Sequence, residues 1–272
     1  MILSKYPWLV QNEILQNMEP SELLLLSLVS KNMKKLIKSC QKKRLESVNT
    51  IVYSTDVNNY LCAYILRESH KFMHKDILMR FEEFQETETP DFQLNVSGKK
   101  IDFRLFTRER NKELWLPENF HPYPVACVQK SDKESILESV HNYFLDFFAH
   151  SVKYYWKAKE FEDGPYHIPK QLLNVSFCIS MYLGSRFTKI KNFDKFFSSS
   201  PVLKSVQMYF SNSEISFNPE SKFYQAEFID IDQRYNSFPD ILSHFQGKQI
   251  FMRCKKCEIQ ALIGFLFRKH VN

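Results

Sequence analysis

Tyr6-Pro7-Trp8-Leu9-Val10-Gln11-Asn12-Glu13-Ile14-Leu15-Gln16-Asn17-Met18-Glu19-Pro20-Ser21-Glu22-Leu23-Leu24-Leu25-Leu26-Ser27-Leu28-Val29-Ser30-Lys31 is the stretch whose reading decides the architecture of this chain. Leu9, Val10, Ile14 and Met18 stand three and four residues apart, the spacing of one face of a helix. Glu19-Pro20-Ser21-Glu22 then punctuates. Pro20 suits the first turn of a new helix, because its missing N–H would have had no partner there, and Glu22 suits the positive end. Glu19 is a weaker cap than Ser or Asp. Residues 23–26 with Leu28 and Val29 form an apolar run too continuous for a helix covered on one side only. Ser30 is placed to cap a third helix, with Met33, Leu36, Ile37 and Cys40 on one face and Lys31, Lys34, Lys35, Lys38 and Lys42 on the other. The reading is a three-helix module over residues 1–46.

This module owns more apolar surface than it can hide. Helices of roughly ten residues cannot bury Trp8, Leu9, Ile14, Leu15, Leu23, Leu24, Leu26, Leu28 and Leu36 among themselves, since units of about forty residues seldom sustain a core alone. Either the module packs on the rest of the chain, or it offers a face to a partner helix.

The order Tyr6-Pro7-x-Leu9, Pro20-x-Glu22-Leu23-Leu24 and Leu26-Ser27-x-x-Ser30-Lys31 resembles an F-box, with Tyr6 where that family usually has Leu and Glu19 where it usually has a Ser or Asp cap. The resemblance implies a non-catalytic substrate adaptor that binds a Skp-family protein and, through it, a cullin ubiquitin ligase, recruiting an unknown target protein with its remainder. By position it implies that Pro7, Leu9, Ile14, Leu15, Leu23, Leu24 and Leu26 line the adaptor face. Two other readings stay open at this point. One is an interaction scaffold whose N-terminal helices are internal core. The other is a helix-turn-helix with the lysine stripe of residues 30–44 on phosphates, although Asn32 and Gln41 alone would be there to read base edges.

Composition narrows the field. Residues 1–45 hold eight lysines and arginines against three glutamates, so they account for most of the net charge of +6 and leave the remainder nearly neutral. A basic surface over the whole body, of the kind that grips nucleic acid, is not expected. The glycines, Gly98, Gly164, Gly184, Gly247 and Gly264, are too far apart for a P-loop, a dinucleotide fingerprint or a nucleophile elbow. Scattered cysteines beside apolar runs read as reduced, mostly buried thiols. With no signal-peptide pattern at the start and no apolar run of membrane-spanning length, the expected location is cytoplasmic or nuclear.

Beyond residue 46 the texture becomes strand-like, and the overall class expected is α+β. Phe92-x-Leu94-x-Val96 and Ile101-x-Phe103-x-Leu105 alternate on either side of Ser97-Gly98-Lys99, a hairpin signal. Ser131-Asp132-Lys133-Glu134 reads as a capping box opening a helix with Ile136, Val140, Phe144, Phe147 and Phe148 on one side. His141 on that helix reads as a packed histidine. In the second half, Val206, Phe228 and Ile250 recur every 22 residues in strand-like segments. Helix candidates follow at residues 238–245 and 258–269, which predicts a leucine-rich-repeat-like stack. The expected partition is residues 1–46, 47–160 and 161–272. Ser139-Val140-His141-Asn142-Tyr143-Phe144-Leu145-Asp146-Phe147-Phe148 followed by Val152-x-Tyr154-x-Trp156 resembles the F-box-associated region of the expanded nematode F-box families.

Little points to chemistry. Cys254-Lys255-Lys256-Cys257 has the spacing of half a zinc site, but no second pair follows. His70 and His74 lack the glutamate that a zinc protease would place at residue 71. The acidic residues 82–88 read as a solvated loop. No cofactor, metal or catalytic residue is expected.

Overall fold

A computed structural model describes residues 3–55, 60–68, 73–84, 89–108, 120–158, 168–181, 191–210, 217–233 and 238–254. The decisive stretch folds as helices α1 (Trp8–Gln16), α2 (Pro20–Val29) and α3 (Lys31–Cys40), and a short α4 (Lys42–Glu46) adds a turn that the three-helix expectation lacked. Ser30 caps α3 as expected, its Oγ accepting the Met33 N–H at 3.1 Å. The weak cap at Glu19 is helped by Glu22, whose carboxylate reaches back 2.7 Å to the Glu19 N–H.

These helices belong to a compact unit, Met1–Lys153, that also holds a mixed sheet. Its strands are β1 (Thr50–Thr55), β2 (Leu61–Glu68), β3 (Met73–Glu83), β4 (Phe92–Val96), β5 (Lys99–Phe106) and β6 (Tyr123–Val128), in the order β1-β2-β3-β6-β5-β4. All neighbours are antiparallel except β3 and β6. The β4–β5 hairpin closes as its sequence requires. Val96 pairs with Lys99, and both intervening residues have positive φ, Ser97 at 47° and Gly98 at 94°. That combination matches the right-handed twist of the strands, and Gly98 adopts it without a Cβ penalty. The side-chain oxygen of Asn95 accepts the Gly98 N–H at 2.9 Å.

Helix α5 (Lys133–Phe147) packs on β4 and β5. Ile136, Val140, Phe144, Phe147 and Phe148 are buried as predicted. The expected capping box is absent: Asp132 is the N-cap, and its φ of −106° and ψ of −5° depart from the extended geometry a side-chain cap needs. His141 is fully enclosed, with Nδ1 2.9 Å from the Tyr53 hydroxyl, the packed histidine that was expected.

The second unit, Tyr154–Asn272, is built on parallel strands in chain order: β7 (Lys153–Ala158), β8 (Val175–Met181), β9 (Ser205–Phe210), β10 (Phe228–Gln233) and β11 (Gln249–Cys254). Helix α6 (Lys191–Ser199) connects β8 to β9, a 3-10 turn (Lys222–Gln225) lies between β9 and β10, and α7 (Phe238–His244) connects β10 to β11. Phe177, Val206, Ile229 and Ile250 stand abreast. The 22-residue period therefore named the wrong residue at its centre. Phe228 pairs with Ser205 and Gln249 and is only half-buried, because unequal connections shift the register by one and so reverse the face. Beneath the sheet the Phe177 ring meets Phe196 at 4.7 Å, and Phe217 stacks on Phe223 at 4.1 Å. Gly247 is required where it stands, since a Cβ there would lie 2.0 Å from the Ala226 carbonyl oxygen.

Among the described residues no helix is long and apolar enough to cross a membrane. His70, Cys257, residues 85–88 and the helix read at 258–269 lie outside the described residues.

Candidate partner-binding surface

Helix α1 begins where Pro7, in extended geometry (φ −55°, ψ 148°), stops the chain entering from Tyr6. Gln11 secures that entry, donating from Nε2 to the Tyr6 carbonyl at 2.6 Å. With Trp8, Leu9 and Val10 consecutive in the first turn, no single face can take them all, so packing must choose. It encloses Gln11 and Leu15, one turn apart, and leaves Tyr6, Trp8, Leu9 and Val10 in solvent. Leu9 is 73% exposed and Trp8 58%, and Val29 at the end of α2 is 61% exposed. Adjoining apolar side chains at such exposure mark an interaction surface better than scattered ones do.

Helix α2 goes the other way. Ser21, Leu23, Leu24, Ser27 and Leu28 are buried, and the helix packs against α3 and strands β3, β4 and β6. Polar clamps reinforce this seat. Ser21 Oγ donates to the Pro122 carbonyl at 3.2 Å, and the Tyr143 hydroxyl of α5 donates to Ser27 Oγ at 2.8 Å. The second apolar surface that α2 requires is therefore supplied by the chain's own sheet.

The seven residues expected on the adaptor face thus divide. Pro7 and Leu9 are exposed, Ile14 and Leu26 are half-buried, and Leu15, Leu23 and Leu24 are enclosed by the chain itself. Trp8 and Val10, which the seven did not include, join the exposed set. The signal was available in their adjacency to Leu9, because three consecutive apolar residues cannot all face inward on a helix.

Of the lysines opposite the apolar face, Lys31, Lys35, Lys38 and Lys42 are exposed and Lys34 is half-buried. Lys34 pairs with Asp146 of α5 and sits 3.8 Å above the Tyr143 ring, while Lys38 donates to the Asp146 carbonyl at 2.6 Å. The hydrogen bond from Lys34 holds the Asp146 carboxyl below the ordinary carboxylate range. Burial pushes the Tyr143 hydroxyl up to about 12, against the opposing hydrogen bond to Ser27. An unfolded tyrosine ionises near 10, so this group contributes stability that is complete below that pH and is lost as pH rises through 12. Tyr143→Phe should therefore flatten the alkaline limb of a stability–pH profile, at a cost near neutrality of about 1 kcal/mol for the lost hydrogen bond. Denaturant titrations at several pH values read both effects.

Tyr6, Trp8, Leu9 and Val10 are apolar side chains exposed at the start of α1, and no metal-binding group of His, Cys, Asp and Glu forms among the described residues. No curated protein and no solved structure matches the chain. Residues 7–45, spanning α1 to α4 but for the last residue, match the F-box domain family, and this helical segment is an F-box domain.

Proposed function

We propose that this chain is a non-catalytic substrate adaptor of a Skp-cullin-F-box ubiquitin ligase. F-box domains generally bind Skp-family proteins, and the observation that carries the reading is the apolar surface left open on this one. On this proposal Pro7, Leu9, Ile14 and Leu26 contact the adaptor together with Trp8 and Val10, while Leu15, Leu23 and Leu24 support them from beneath. The second unit would take the target. Its parallel strand-helix succession supports reading it as leucine-rich-repeat-like, and the residues quoted above support kinship with nematode F-box-associated regions. The adaptor would act by raising the effective concentration of target at the ligase, with no bond chemistry of its own.

The helix-turn-helix alternative is weakened because Lys34, 15% exposed, is taken up by Asp146. Co-expression with a Skp-family protein tests the main reading, and a 1:1 complex on size exclusion is the expected result. Leu9→Asp and Trp8→Ala should each weaken that complex by about thirtyfold or more, as truncated interface anchors do. Both should leave unfolding free energy within about 0.5 kcal/mol, because the side chains are exposed. A folded chain that forms no complex with any Skp-family protein would leave the interaction scaffold as the better reading.

A further inference from the structure

The F-box unit carries a cleft that the ligase reading does not use. Its volume is about 610 Å³, and Pro20, Arg44, Ser47, Asn49, Arg67 and Lys153 contribute to its lining. Three cations thus face one space, and among the described lining residues there is no carboxylate. Carboxylates stand close outside the lining, and Glu19, Asp76 and Glu22 all act on the Arg44 guanidinium. Asp76 holds Arg67 Nε at 2.6 Å, Glu22 accepts the Glu19 N–H, and Glu19 lies 3.7 Å from His121. Arg44 donates to the Met18 carbonyl at 2.6 Å and to that of Gln16 at 3.3 Å, neutral acceptors that orient the guanidinium without cancelling its charge. Leu45, Val48, Ile65 and Phe148 form an apolar wall.

We propose that this cleft binds an organic phosphate, with the phosphoryl group among Arg44, Arg67 and Lys153 and the apolar body against Val48 and Phe148. A dianion with three terminal oxygens suits Arg44, Lys153 and Arg67, the last shared with Asp76, supplemented by the donors of Asn49 and Ser151. A carboxylate, with two oxygens and one charge, would leave part of that donor set unmatched. Burial lowers the Arg44 guanidinium from its ordinary range, with the like charge of Arg67 adding to the effect against Glu19, Asp76 and Glu22.

Calorimetry on the full chain, with phenyl phosphate as probe, tests the assignment. Saturable binding about tenfold tighter than that of benzoate is expected, with a loss of about tenfold in Lys153→Gln and in Arg67→Gln. Lys153 suits this purpose, because its backbone N–H donates to the Asn49 carbonyl at 2.9 Å, a bond that glutamine retains. A short phosphotyrosine peptide identifies the source. Binding tighter than phenyl phosphate assigns a modified polypeptide, and weaker binding assigns a free small phosphate. Binding of neither probe at millimolar concentration, equal binding of benzoate, or unchanged affinity in both variants overturns the proposal.

Discussion

Leu24→Ala should lower the unfolding free energy of the N-terminal unit by about 2–5 kcal/mol, and Leu24→Asp should leave that unit unfolded. Leu24 is 0% exposed on a helix packed between α3 and the sheet. Removing its branched end opens a cavity that the surrounding strands fill only in part, and a carboxylate there would be buried without a partner. The comparison with Leu9→Asp separates two roles within one motif. The Leu9 variant should stay folded and lose the Skp-family protein, whereas the Leu24 variant should lose both together. Urea unfolding followed by circular dichroism, read beside co-purification, checks the pair. A Leu24→Ala midpoint equal to that of the parent would show that α2 is not seated on the sheet.

Glu82→Gln should cost about 3–5 kcal/mol, the second large effect. Glu82 Oε1 lies 2.8 Å from Arg80 Nε and Oε2 lies 2.5 Å from Arg104, with side-chain exposures of 13% for Glu82, 5% for Arg80 and 22% for Arg104. The Arg80 guanidinium is held against the Tyr60 ring, 4.0 Å away. One carboxylate thus serves two guanidiniums, and neutralising it removes the negative charge beside both in a space from which water is largely excluded. Replacing all three by apolar side chains of similar volume, as in Arg80→Met with Glu82→Leu and Arg104→Met, should recover most of the loss, since the desolvation cost disappears with the charges. Thermal or urea midpoints of the two variants decide the matter. A single Glu82→Gln change without effect would mean that the cluster is solvated.

Where neighbouring residues alone decide a conformation, the sequence was legible. Ser30 as a cap, Pro20 in a first turn, the two-residue turn before Lys99 and the buried aromatic face of α5 all follow from local rules. The facing of the leucines in α2 was not legible, because an uninterrupted apolar run has no period from which to read a buried side. Strand β6 was missed for the same reason: buried on both faces at the middle of the sheet, Tyr123-Pro124-Val125-Ala126-Cys127-Val128 shows no alternation. In the second unit the succession of strands and helices was visible, whereas the pairing of Ile229 with Val206 and Ile250 was not. Register depends on how much chain each connection takes up, and a fixed period cannot express that. For the candidate surface, the sequence identified the F-box segment but ranked its residues by motif position. The structure ranks them by which ones the sheet had already covered.

The bonds from Ser21 to the Pro122 carbonyl and from Tyr143 to Ser27 carry a practical consequence. They fasten the F-box helices to α5 and to the residue that leads into β6, so this segment is not a plug on a flexible cord. Deleting residues 1–46 to make a bait that captures targets without feeding them to the ligase would strip the greasy side of β3, β4 and β6. Such a fragment would clump or be degraded. A full-length protein blinded by a single surface change at Leu9 is the sounder trap.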